Sequence, residues 1–154
     1  MIIRGLLGLA GAALLASGLA AGEFDQARPD PSLSPEEVVR IQVGALGEND
    51  NPNPDSGIET TFRFASPANR VMTGPIERFK VMVHGPNYAP MVDHRSASFE
   101  NLAIDGDNAM IDVIVLSKDD LFLGYRFTLS RQVRGSCPGC WMTDGVAPFS
   151  VEMS

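Results

Sequence analysis

The sequence predicts an α+β fold, with three N-terminal helices packed on one side of an antiparallel sheet of about four strands. Two observations support this prediction. Apolar residues recur at spacings of three and four up to about Arg95, and after it they alternate with polar residues. Turn signals such as Asp-Gly separate the alternating stretches, which is typical of strands that follow one another in a meander.

The first helix is predicted in "SPEEVVRIQVGALG". Ser34 suits the N-cap, Pro35 the first helical position, and Glu37 the return bond of a capping box. The expected buried stripe is Val39, Val43 and Leu46.

A second short helix is expected from about residue 57 to residue 65, since a helix must end before Pro67. The stretch "SPANRVMT" adds at most one more turn. Thr73 is expected to cap a third helix that begins at Pro75. Its apolar stripe would be Ile76, Phe79, Met82 and Val83.

Four stretches predict strands: "SASFENLAIDGDN", "AMIDVIVLSKDD", "LFLGYRFTLSRQ" and "CWMTDGVAPFS". The third alternates most regularly, so one of its faces should be buried and the other wet. The expected core face of that strand is Leu121, Leu123, Tyr125, Phe127 and Leu129.

The 154 residues suffice for one domain, which we place over residues 34–154. Residues 1–21 carry Arg4 and then a run of Ala, Leu and Gly, which favours a secretory signal peptide over a retained membrane anchor. Residues 22–33, with Pro29 and Pro31 among polar residues, should be a flexible lead-in. We therefore expect an exported protein, periplasmic or secreted.

The formal net charge of −7 repels a phosphate backbone, so nucleic acid is not an expected partner. None of the predicted helices has the basic polar face that membrane surfaces attract, so no membrane partner is expected after signal removal. No motif indicates a cofactor or a metal site.

The order of four stretches resembles the nuclear-transport-factor-two-like or SnoaL-like superfamily. These stretches are "SPEEVVRIQVGALGEND", "PIERFKVMV", "ENLAIDGDNAMIDVIV" and "GCWMTDGV". The likeness covers about residues 34–149. It implies that the helices and a curved sheet form a cone with a pocket inside. The superfamily holds isomerases, dehydratases, cyclases and binding proteins, and its sheets often pair, so a homodimer is possible.

More narrowly, "GIETTFRFASPANR" and "CWMTDGV" resemble an uncharacterised family of unknown function found in exported bacterial and plastid proteins. The strand pair that the superfamily usually places between the second and third helices is missing or reduced to "SPANRVMTG". This departure implies a smaller or more open pocket. None of the superfamily's catalytic motifs matches residue by residue, so no catalytic residue is assigned.

Five residues are candidates for the pocket: Asp112, Tyr88, Tyr125, Trp141 and Asp144. An inward Asp112 would be a general base or a ligand anchor. The opposite face of its strand is equally apolar, however, which favours a position for Asp112 on the solvent side. The three aromatic residues supply apolar walls with polar tips, or they simply fill the core.

The two histidines have structural interpretations. His84 lies at a predicted helix end, where an imidazolium can satisfy terminal carbonyl groups, and His94 should be exposed.

Cys137 and Cys140 enclose Pro138 and Gly139, the residues that a type II turn favours at its two central positions. Such a turn brings the Cα atoms to disulfide range. A thioredoxin-like site is disfavoured because the following residues predict a strand instead of a helix. We expect an oxidised pair that staples the turn.

Together these patterns favour an exported, non-enzymatic module that binds a small ligand or a protein through the mouth of the cone. The alternative is a small isomerase or dehydratase with an inward carboxylate. A weaker alternative is a thiol-exchange protein that uses Cys137 and Cys140.

Overall fold

The structure is a computed structural model that describes residues 23–152. The predicted signal peptide, residues 1–21, lies outside the described residues. No helix within residues 23–152 combines the length and the apolar character that crossing a bilayer requires.

Four α-helices precede a four-stranded antiparallel sheet in the described part of the chain, which confirms the α+β class. The helices are α1 (Pro35–Gly47), α2 (Ser56–Arg63), α3 (Pro67–Thr73) and α4 (Ile76–Val83), with 3-10 turns at Glu23–Gln26 and Ala89–Met91. The strands are β1 (Ser96–Asp105), β2 (Asn108–Leu116), β3 (Phe122–Arg131) and β4 (Trp141–Phe149). A cone-like curvature of the sheet stays a prediction.

The start of α1 follows the predicted capping box. The backbone N–H of Glu37 donates to Ser34 Oγ at 3.1 Å, and the N–H of Ser34 donates to the Glu37 carboxylate at 2.7 Å. Two of the N–H groups at this helix end are thereby satisfied within four residues.

The prediction of three helices is wrong by one, because "SPANRVMT" forms the complete helix α3. Ser66 caps it by accepting from the N–H of Asn69 at 3.2 Å. Thr73 ends α3 and does not cap α4, whose N-cap is Pro75. Thr73 lies two residues before the N-cap position, and its hydroxyl donates to the Asn69 carbonyl one turn earlier in α3.

The strands pair in sequence order, and alternate residues of the sheet face the helices. Tyr125, Phe127 and Leu129 of β3 are buried there, as predicted. Leu121 is a correction: it precedes β3 and is 61% exposed. We call the opposite side the outer sheet face; it carries Met110, Asp112, Ile114, Arg126 and Thr128.

The edge of β4 joins the helical layer through its backbone. Thr143 N–H donates to the Phe64 carbonyl at 2.9 Å, and Ser66 N–H donates to the Thr143 carbonyl at 2.8 Å. This short parallel bridge, Ala65 with Thr143, fixes the junction of α2 and α3 against the sheet.

The segment expected to be a flexible lead-in packs against the helices from residue 23 onward. The Phe24 ring lies so close to Gly44 of α1 that a Cβ atom there would overlap it. Arg63 Nη1 donates to the carbonyls of Asp25 and Ala27 at 3.3 and 3.0 Å. One aromatic side chain and one guanidinium therefore hold a stretch that looks unstructured by composition.

The cysteine turn takes the predicted form. Cys137 and Cys140 lie at disulfide distance, with Cα atoms 5.6 Å apart, and the N–H of Cys140 donates to the Cys137 carbonyl at 3.2 Å. Gly139 has φ 84°, close to the roughly +80° that a type II turn requires at its third residue. Cys140 is fully buried.

We expect Phe24→Ala to lower the free energy of unfolding by roughly 1–3 kcal/mol, because the backbone at Gly44 cannot fill the space left by the ring. The matched control is Phe122→Ala, which removes a ring that is 46% exposed and should have a smaller effect. Urea denaturation of the chain followed by circular dichroism measures both. Equal stability of Phe24→Ala and wild type would contradict the packing of this segment.

Candidate functional site

A cavity of about 280 Å³ lies between the helices and the strands β3 and β4. Its walls are mainly apolar because the buried stripe of α4 faces the core side of β3 across it. The apolar walls include Leu46, Phe79, Met82, Val83, Met91 and Phe127.

The inner end of the cavity is polar. Gln42 of α1 and Thr143 of β4 both line it, and each is 1% exposed. The Gln42 amide nitrogen donates to the Thr61 carbonyl at 3.1 Å, and the Thr143 hydroxyl donates to the Gln42 amide oxygen at 2.6 Å. Because Thr61 offers a carbonyl, the orientation of the Gln42 amide is fixed.

The outer end of the cavity is formed by α3 and β4. Met72 is 73% exposed, and Asp144 is exposed as well, so the cavity opens to solvent between them. Asn69 lies just inside and donates from Nδ2 to the Thr143 carbonyl at 3.1 Å. We call this opening the mouth.

A β-bulge places Asp144 at the mouth. Thr128 pairs with Gly145 and Leu129 pairs with Thr143, so Asp144 is the additional residue on β4. Bulges re-aim side chains in this way. Thr143 therefore points to the inner end of the cavity, while its neighbour reaches the rim.

Tyr88 lines the cavity, and its hydroxyl donates to the Val146 carbonyl at 2.9 Å. Tyr125 stacks behind it, with ring centroids 6.2 Å apart, and donates to the Asn87 carbonyl at 2.8 Å. Burial, with a smaller contribution from Tyr88, raises the pKa of Tyr125 to about 12. Tyr125 is thus a neutral core residue that supports the wall.

Asp112 lies on the outer sheet face, on the side the sequence favoured, yet it is only 4% exposed. Arg126, directly opposite on β3, donates to both carboxylate oxygens at 2.7 and 3.0 Å, and Asn101 adds a bond at 3.2 Å. The hydrogen bonds from Arg126 outweigh desolvation and lower the pKa of Asp112.

Trp141 is buried against the guanidinium of Arg131, whose carbon lies 5.6 Å from the ring. Of the five candidates, the structure brings Tyr88 and Asp144 together at the cavity. Asp112, Tyr125 and Trp141 are not among the residues that line it.

The hydrogen-bond partner of His84 and the exposure of His94 both differ from those expected from the sequence. His84 Nε2 lies 2.8 Å from the Asp55 carboxylate instead of bonding helix-terminal carbonyls. His94 is half-buried rather than exposed, because its ring packs on Gly47 and its Nδ1 lies 2.7 Å from the Met91 carbonyl. Within residues 23–152, no three His, Cys, Asp or Glu side chains are grouped to hold a metal ion.

Sequence reasoning missed Gln42, Thr143 and Asn69. A signal existed for Gln42, since it lies four residues from both Val38 and Leu46 on the buried face of α1. A polar residue inside an apolar stripe is unusual enough to be examined as a site residue.

We expect Asp112→Asn to destabilise the protein at pH 7, because the charged bonds from Arg126 are weakened. The lowered pKa means that Asp112 stabilises the fold above an unfolded-state pKa of about 4 and loses this effect as the pH falls toward the folded-state value. The difference between wild type and variant should therefore shrink on acidification.

Urea denaturation across a pH series measures this difference. The control is Asp107→Asn, which weakens the pair of Asp107 with Arg131, whose side chains are 54% and 47% exposed. Its effect at pH 7 should be smaller. A pH-independent difference for Asp112→Asn would contradict the role given to the carboxylate.

Comparison with known proteins gives one family. No curated protein and no solved structure matches the chain. The resemblance to the SnoaL-like superfamily therefore stays a prediction. Residues 33–150 match a domain of unknown function (DUF4864). Because this match spans most of the chain, the protein belongs to the DUF4864 family.

Proposed function

We propose that the protein is an exported, non-enzymatic module that binds a small ligand in the cavity. The observation that carries the proposal is the combination of apolar walls with two buried hydrogen-bonding side chains, Gln42 and Thr143, at the inner end. Ligand sites commonly combine an apolar lining with a few convergent polar groups that set orientation.

The polar groups of the cavity favour binding over catalysis. A proton-transfer enzyme needs an acid or base within reach of the substrate. Among the described residues, the titratable side chains that line the cavity are Tyr88 and Asp144. The Tyr88 hydroxyl is engaged by Val146, and Asp144 lies exposed at the mouth. The isomerase or dehydratase alternative would need an inward carboxylate, and Asp112 faces the other side of the sheet.

The thiol-exchange alternative has less support. Exchange with a partner would begin at Cys137, the half-buried sulfur of the pair, and no helix starts there to stabilise its thiolate, because β4 follows the turn. The turn between Cys137 and Cys140 also begins the last strand, which favours a structural role for the pair.

Two features support export. The sequence begins with an apolar, Ala- and Leu-rich run that follows Arg4. The two cysteines lie at disulfide distance, and such bonds persist mainly in oxidising compartments.

We expect a small molecule to remain bound to protein purified from its export compartment, and native mass spectrometry detects it as a mass adduct. Met82→Trp fills the cavity and should remove the adduct. Met110→Trp places the same indole on the outer sheet face and should retain it. A wild-type protein without an adduct, or an adduct that survives Met82→Trp, would argue against binding in the cavity.

We expect the exported protein to begin within a few residues of Gly22 and to contain no free thiol. N-terminal sequencing tests the first statement. Intact mass after alkylation without a reductant tests the second, since an oxidised pair takes up no label. An unprocessed N-terminus in the cell envelope would favour the membrane-anchor alternative, and two labelled cysteines would remove the disulfide.

A further inference from the structure

We propose that the ligand is an uncharged, mainly apolar molecule whose single polar head is a hydroxyl or carbonyl group bound by Gln42 and Thr143. This inference rests on the proposed function, and it adds the chemical class of the ligand. It follows from the charges around the cavity, from the unused hydrogen-bonding capacity at the inner end, and from the composition of the walls.

The charges exclude an anionic head. No Lys, Arg or His of the described chain lines the cavity, and its one charged side chain is Asp144. The nearby cations are engaged elsewhere: Lys80 pairs with Glu59 at 2.9 Å, and Arg70 Nε donates to the Ala65 carbonyl at 2.9 Å. A carboxylate or phosphate inside would therefore lose its hydration without gaining a counter-charge.

The charges also disfavour a cationic head. A cation attracted to Asp144 would sit at the exposed mouth, where water screens the attraction. The inner end offers an amide and a hydroxyl, and neither compensates a buried ammonium group. A neutral head is the form that the buried end can accept.

The hydrogen-bonding inventory defines the head group. The Gln42 amide nitrogen carries two hydrogens, and among the described residues it donates to one acceptor, the Thr61 carbonyl. The Thr143 hydroxyl donates its hydrogen to the Gln42 amide oxygen. The hydroxyl oxygen can still accept a hydrogen bond. The unused donor and the unused acceptor thus belong to two side chains that are bonded to each other and that both line the cavity. A ligand hydroxyl satisfies both, and a ligand carbonyl satisfies the donor.

The walls suit an apolar body. Three methionines, Met72, Met82 and Met91, contribute to them, and their unbranched side chains adapt to irregular shapes. The volume of about 280 Å³ lies just below the common range of ligand pockets, roughly 300–1,000 Å³. A compact molecule with one polar end fills such a space.

Three probes with the same alkyl chain test the class: 1-octanol, octanoate and octylammonium at pH 7. Binding is followed by NMR of protein labelled at the methionine methyl groups. Met82 and Met91 report on the cavity, and Met110 on the outer sheet face is the internal control. We expect 1-octanol to bind at least about tenfold more tightly than either ion, since burial of an unpaired charge is costly.

The head-group contact is tested with Gln42→Met, which keeps the length of the side chain and removes the amide. We expect the affinity for 1-octanol to fall about fivefold to tenfold, the effect of one lost hydrogen bond. Gln26→Met, on the exposed N-terminal turn, is the matched control and should leave the affinity unchanged. If Gln42→Met does not fold, the Gln42 side-chain amide resonance of the wild type gives the same answer, because 1-octanol should shift it.

The outcomes separate the two proposals. If none of the three probes shifts the Met82 and Met91 resonances, the cavity is not a binding site and the proposed function fails. If octanoate or octylammonium binds as tightly as 1-octanol, the cavity binds ligands but the neutral class is wrong. A Gln42 amide resonance that stays unmoved while 1-octanol binds would overturn the assigned contact.

Discussion

Thr143 links the sheet to the helical layer by three hydrogen bonds. Its N–H and carbonyl pair with Phe64 and Ser66, and its hydroxyl donates to Gln42. All three groups are buried, so water cannot replace a lost partner, and each loss would leave a polar atom unsatisfied. These bonds determine where the junction of α2 and α3 lies on β4. Ala65 at that junction and Thr143 itself both line the cavity, so the same bonds shape one of its walls.

The position of Gln42 needs a physical reason, because a leucine would pack on the buried face of α1 without any polar atoms to satisfy. The amide of Gln42 is retained in a satisfied state, bonded to Thr61 and Thr143. Such a buried network is rigid, since any rotation of the amide breaks both bonds. Among the described residues one hydrogen of this amide has no acceptor, so a ligand of the proposed class would meet a donor that is already oriented, and preorganisation lowers the entropic cost of binding.

Local sequence patterns predicted most helices and strands of this fold. The features that they did not predict depend on contacts between residues far apart in the sequence. The capping box of α1 spans Ser34 to Glu37, and the alternation of β3 is visible within ten residues, so both could be read from the sequence. The position of Asp112 on the outer sheet face was also predictable, because side chains alternate between the two faces along β2. Its burial was not, because that depends on the register that places Arg126 opposite. Phe24 was missed for the same reason: nothing near it in the sequence reveals its contact with Gly44.

The ion pair on the outer sheet face favours the strand register on which the cavity wall depends. Asp112 and Arg126 are directly opposite in β2 and β3, so their bidentate pairing favours one register over its neighbours. A slip of one residue would turn every side chain of β3 to the other face. Phe127 would then leave the cavity wall and Arg126 would enter it, placing a cation where the walls are now apolar. Asp112, which the sequence offered as a general base or a ligand anchor, thus affects the cavity only indirectly, by favouring the register that keeps Phe127 in its wall.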